Sequence, residues 1–165
     1  MDLRKTRNLL LITCSAGKEE KAEIEILDCL LRYDETAEVY KTEFPGVLLA
    51  DTKLPLSKAV SYLKRFEMAY VHRITPLSKT VEASTDVIIE AALQLVKSEL
   101  KTGSSFAVRC VKRGNRIKSK REIEKKIGEV IVRELKARVN LSNPEYILHV
   151  EVLGDFAGIY LEHLK

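Results

Sequence analysis

The first 81 residues read as strand, helix, strand, strand, helix, strand, and few folds accept that order. Residues 8–14, NLLLITC, are a short apolar run of strand type. In the segment after it, SAGKEEKAEIEILDCLLRY, the residues Ala22, Ile24, Ile26, Leu27, Leu30 and Leu31 recur mostly at helical spacing. The early glutamates complement the positive end of a helix dipole. AEVYKTEFPGVLLADT then reads as two strands around Phe44-Pro45-Gly46, because Pro fixes φ and Gly permits positive φ. PLSKAVSYLKRF is a second helix, with Pro55 at its start and a stripe of Ala59, Val60, Leu63 and Phe66. AYVHRITPLSKTV, residues 69–81, closes the set as one strand broken or ended near Pro76.

This order is a split β-α-β arrangement, the pattern of a ferredoxin-like domain. The remaining chain reads as a second small α/β unit, so the predicted class is α+β with domains at 1–80 and 81–165. Residues 84–103 read as one helix that starts at Ser84 or Thr85 and ends near Gly103. SFAVRCV (105–111) is a strand and KRGNRIK (112–118) a basic loop. Residues 119–138 read as a helix: Ser119 and Glu122 have capping-box spacing, and Ile123, Ile127, Val130, Ile131 and Leu135 line one face. Gly128 lies inside it, at a helix cost of about 1 kcal/mol relative to Ala, and close packing is the expected reason. YILHVEVL and IYLEHL are expected to form a hairpin, with GDFAG (154–158) making or flanking its turn.

Several chemistries find no support in these residues. CSAGKEE contains a single Gly and fits neither a dinucleotide-binding turn nor a phosphate-cradling P-loop. The start of the first helix remains a weak candidate for anion binding. His72, His149 and His163 have no metal-ligand spacing. Cys14, Cys29 and Cys110 are too few and too far apart for a disulfide framework or a zinc motif, so three reduced thiols in a cytoplasmic protein are expected. No apolar run approaches the roughly 20 residues that span a bilayer, and no membrane partner is expected. No cofactor is implied.

Charge is the informative property. The formal net charge is only +4, yet residues 101–138 hold thirteen Lys or Arg against four acids. Arg109 projects from its strand opposite to Val108 and Cys110. Lys112, Arg113, Arg116 and Lys118 crowd the loop, and Lys120 and Arg121 open the helix, followed by Lys125 and Lys126. A helix start favours acids, so cations there add to the positive potential of the dipole instead of offsetting it. Loop amides, helix start and cations together suit phosphate, and a polyanion such as RNA is the natural partner. The alternatives are a solvated face balanced by Glu122, Glu124 and Glu129, or a surface that meets an acidic protein.

FAVRCVKRGNRIKSKREIEKKIGEVIVRELKARVNLSNPEYILHVEVLGDFAGIYL resembles a THUMP domain, the RNA-binding module of several tRNA-modifying enzymes. The resemblance lies in Phe-x-Val-Arg with its basic loop, the helix containing Gly128, the segment VNLSNPE and the closing hairpin. NLLLITCSAGKEEKAEIEI and VHRITPLSKTVEAS are similar to the stand-alone THUMP proteins of the Tan type. That likeness implies a non-catalytic adaptor that binds the acceptor end of tRNA and presents it to a tRNA cytidine acetyltransferase making 4-acetylcytidine. It implies RNA-binding roles for Arg109, Lys112, Arg113, Arg116, Lys118, Lys120 and Arg121, with Arg73 of the first domain joining them. Other THUMP proteins carry a catalytic domain after the module. The competing expectation is therefore the RNA-binding part of a larger thiolation or methylation enzyme.

Overall fold

A computed structural model describes residues 7–164. The chain divides into two compact units, one ending at Ser78 and the other starting at Lys79.

The first unit contains β1 (Asn8–Cys14), α1 (Glu19–Leu30), β2 (Glu38–Lys41), β3 (Val47–Thr52), α2 (Leu56–Arg65) and β4 (Val71–Leu77). Its sheet has the order β2-β3-β1-β4, antiparallel throughout, with Leu10 opposite Ala50 on one side and Pro76 on the other. One strand separates β1 from its parallel successor β2, which is the split β-α-β arrangement. Leu10, Ile12, Leu48 and Ala50 form one core with Ala22, Ile26 and Leu30 of α1 and Ala59 and Leu63 of α2. Both helices therefore cover the same face. Each fully buried Leu or Ile contributes roughly 1.5–3 kcal/mol. Asp34 is buried after α1, where burial alone would raise its pKa. The hydroxyls of Thr36 and Thr52 and the N–H groups of Lys53 and Thr36 donate to it, and together they hold it well below the ordinary carboxylate range.

The second unit contains β5 (Lys79–Glu82), α3 (Thr85–Glu99), β6 (Ser105–Arg113), α4 (Lys120–Leu135), β7 (Arg138–Val139), β8 (Tyr146–Leu153) and β9 (Phe156–His163). Its sheet has the order β5-β9-β8-β6-β7, with β6 parallel to β8 and β7 and the other pairs antiparallel. Ile88, Ala92 and Val96 of α3 and Ile123, Ile127 and Ile131 of α4 share a core with Phe106, Cys110, Leu148 and Val150. Gly154, at φ +63°, takes the first place of the two-residue hairpin turn between β8 and β9.

The fold is α+β, a ferredoxin-like unit followed by an α/β unit. Four local expectations change. Residues 69–81 are not one strand: β4 runs through Pro76 to Leu77, and β5 then pairs with β9 in the other sheet. Pro76 is tolerated because β4 is an edge strand that needs no outward N–H. α3 stops at Glu99. β6 extends through Lys112 and Arg113, leaving a shorter loop, and α4 stops at Leu135, where Lys136 adopts φ +52° before β7. Among the described residues, no helix is long and apolar enough to cross a membrane.

Candidate nucleic-acid interface

β6, the loop after it and the start of α4 carry the predicted cations of the second unit. Strand alternation places Phe106 and Cys110 in the core and leaves Arg109 exposed. Burial, with help from Glu124 and Glu151 and against Lys120, pushes the Cys110 thiol up to about 12. Cys110 is therefore a neutral core residue and no nucleophile. Ile117, also buried, anchors the loop and turns its flanking residues Arg116 and Lys118 to solvent.

Ser119 caps α4, its hydroxyl accepting from the Glu122 N–H at 3.3 Å. Among the described residues only this half of the expected capping box forms. The Glu122 carboxylate instead accepts from Lys126 Nζ, one turn further on, at 2.8 Å. Lys118, Lys120 and Arg121 are exposed around the helix start. A hollow of about 530 Å³ lies here, lined by Lys112, Gly114, Lys118, Ser119, Lys120 and Arg121. Its charged lining is entirely cationic, at the positive end of a 16-residue helix.

Arg121 also lines a larger groove of about 810 Å³ between α4 and β6. Among the described residues, β7 pairs with β6 only at Ser105 and Phe106, so that side of β6 carries no strand further along. The Phe106 carbonyl there accepts from the Asn140 N–H, and the Cys110 N–H on the same side donates to Glu124 at 3.0 Å. Val132, Val139 and Leu141 are 42%, 55% and 73% exposed, which leaves the groove an apolar wall open to solvent. Arg109, Arg121, Lys125 and Arg133 line it against Glu124 and Glu129.

Two predicted residues have partners of their own. Arg113 donates from Nη1 to the buried Glu151 carboxylate at 2.9 Å, tying β6 to β8. Its charge is taken up by the sheet. Arg116 reaches Glu82 at 3.4 Å and Asp155 at 4.0 Å, bracing the loop against β5 and the hairpin turn. Arg73 is on β4 of the first unit, opposite Thr13. The structure thus brings together Arg109, Lys112, Lys118, Lys120 and Arg121 on the free surface of one unit. Lys125 and Arg133 join them, and the predicted set omits both. Their signal was present: positions 121, 125, 128 and 132 share one helix face, with Arg133 beside it.

Gly128 is in this groove, and a Cβ there would meet nothing within 4 Å. Open space, not close packing, surrounds it. The idea of an anion at the start of α1 also fails. Glu19 accepts from the Gly46 N–H at 2.8 Å, an interaction that lowers its pKa, and Glu20 and Glu43 line the same hollow. The place is filled by carboxylates of the chain.

Residues 82–162 match the family model of the THUMP domain. The chain carries a THUMP domain. That match begins within β5 and ends within β9, so it takes in the cationic hollow and the groove. A probable tRNA sulfurtransferase of Methanocaldococcus jannaschii is 31% identical over 151 residues, 87% of this chain and 38% of the relative. Among solved structures, PH1313 from Pyrococcus horikoshii superposes with a TM-score of 0.71 at 25% identity, over 96% of this chain and 55% of that one. A 4-thiouridine synthetase crystallised with RNA and ATP gives 0.65 at 21% identity, over 94% of this chain and 41% of that one. The chain thus spans little more than a third of the sulfurtransferase and about half or less of these structures. The likeness extends over both of its units.

Proposed function

We propose that this chain is a tRNA-binding module that holds the acceptor end of tRNA for a modification reaction catalysed elsewhere, on another domain or another protein. The observation that carries this reading is the cationic hollow at the start of α4, which continues through Arg121 into an apolar groove, all inside the THUMP segment. Phosphates suit Lys112, Lys118, Lys120 and Arg121. The groove offers a trailing single strand an apolar wall for its bases and arginines for its backbone. Cys110, the thiol beside this surface, is buried and neutral, and the reading gives the surface a binding and positioning role.

The reaction it serves has two readings. The likeness to a probable tRNA sulfurtransferase favours thiolation, with this chain as the RNA-binding part of such an enzyme. The segments NLLLITCSAGKEEKAEIEI and VHRITPLSKTVEAS favour the adaptor of a tRNA cytidine acetyltransferase. Both place the same surface on the same end of tRNA.

The test is a titration at fixed near-physiological salt with intact tRNA and with tRNA lacking its 3′-terminal nucleotides. Intact tRNA is expected to bind more tightly, and a Lys120→Ala, Arg121→Ala double variant to lose about tenfold or more. Equal affinity for both RNAs would reduce the surface to a generic cationic patch, and unchanged affinity of the variant would move the site elsewhere.

A further inference from the structure

The aromatic surface that the THUMP cations lack is present in the first unit. Phe106, in the middle of the basic segment, is buried in the core. Tyr33, just beyond α1, lies face to face with Tyr62 of α2, with ring centroids 3.7 Å apart and planes within 6°. Arg65 extends this stack, its guanidinium 5.6 Å from the centre of Tyr62, and Arg32 lies 5.1 Å from the centre of Phe66. Each arginine is also tied to the backbone. Arg32 Nε donates to the Asp28 carbonyl and Arg65 Nε to the Ser61 carbonyl, at 3.1 and 3.3 Å. Among the described residues neither has a carboxylate partner. Arg32, Tyr33, Tyr62, Arg65 and Phe66 surround a hollow of about 170 Å³ with two cations and no acid in its lining. Tyr33 is 48% exposed, so the column of planar groups ends in an open ring.

An open aromatic face next to pre-positioned guanidinium groups fits a ligand that is planar and anionic within one residue length. A nucleotide has that combination, and an acidic peptide does not. It would satisfy the arginines without extending the stack. A paired base has both faces covered by its neighbours, so the complementary RNA is single-stranded or looped. Arginine adds cation–π attraction to such a site, and base–aromatic stacking tolerates any base identity. We infer that the Tyr33–Tyr62 stack with Arg32 and Arg65 is a second RNA contact, which takes an unpaired base on the open face of Tyr33 and the adjoining phosphate on the arginines. The inference rests on the tRNA-binding reading for its biological ligand, but its chemistry is tested separately.

The chain has no Trp, so Tyr33→Trp introduces a single indole at the end of the stack. Its emission is to be followed against octa-adenylate, a blunt RNA duplex, polyglutamate and a tRNA transcript. Quenching by octa-adenylate and tRNA, and not by the duplex or polyglutamate, is expected. In parallel, Tyr33→Ala and Arg65→Ala should each weaken tRNA binding by about tenfold, with Tyr33→Phe close to wild type. Quenching by polyglutamate and not by octa-adenylate would overturn the inference in favour of a protein partner. Wild-type tRNA affinity in both Tyr33→Ala and Arg65→Ala would overturn it while leaving the THUMP surface intact. Quenching by octa-adenylate in a chain that fails to bind tRNA would retain this site and remove the proposed function.

Discussion

A methyl group added at Gly46 would lie 2.4 Å from the carbonyl oxygen of Cys14, on a backbone at φ +73°. The same atom added at Gly128 meets open space inside a helix. Two glycines of similar appearance in the sequence therefore predict opposite outcomes. Gly46→Ala is expected to cost at least about 2 kcal/mol, from the left-handed backbone and the collision together. Gly128→Ala is expected to stabilise by about 0.5–1 kcal/mol, because it removes unfolded-chain freedom without a clash. Urea denaturation of the two variants measures both, and destabilisation by Gly128→Ala would mean that the groove is closed in solution. If RNA uses the groove, the stabilised Gly128→Ala variant also binds tRNA more weakly. The role of Gly46 was legible, because Phe-Pro-Gly between two apolar runs announces a turn. The role of Gly128 was not, because nothing local distinguishes a glycine that admits a neighbouring helix from one that floors a groove.

At the scale of elements, β6, its loop and α4 were recognisable from alternation, a Gly-Asn loop and a helical apolar stripe. The cationic hollow followed directly, since Lys118, Lys120 and Arg121 need only the loop and the helix start to come together. Arg113 shows where that reasoning ends. It lies at the end of β6, and its partner Glu151 is 38 residues away on β8. A pairing of that separation leaves no local signal in the sequence. Arg113→Ala leaves Glu151 buried without a counter-charge and is expected to cost about 3 kcal/mol. Thermal or chemical denaturation checks this, and stability within 0.5 kcal/mol of wild type (roughly the error of such a measurement) would show that water or another cation replaces the guanidinium. Arg121→Ala is expected to show the reverse profile, near-native stability with reduced RNA affinity. β5 and β7 escaped notice for related reasons. β5 follows β4 after one residue and reads as its continuation, and a strand of two residues has no period to detect.

For the whole molecule, the even-looking charge of +4 conceals a segment at +9 and a remainder at −5. Such a division predicts a steep response to salt. With about five phosphate contacts, the log–log slope of tRNA affinity against salt should be near −4, and a slope close to zero would assign binding to apolar contact. The two units have separate cores, and for the first the order of strands and helices was enough to anticipate the fold class. The aromatic stack of the first unit was out of reach, because Tyr33 and Tyr62 meet only once α1 and α2 lie side by side. The bare side of β6 has one further consequence. A strand with unsatisfied backbone groups is a template for any other strand, including that of a second copy, and folded proteins keep such edges apart with charge. Here Glu124 occupies one N–H on the bare side, that of Cys110, and Arg109, Lys112 and Lys125 would confront their own duplicates if two molecules met along this side. The residues proposed to grip an RNA would thus also act as mutual repellents between empty molecules, and neutralising them to test binding would invite the protein to stick to itself.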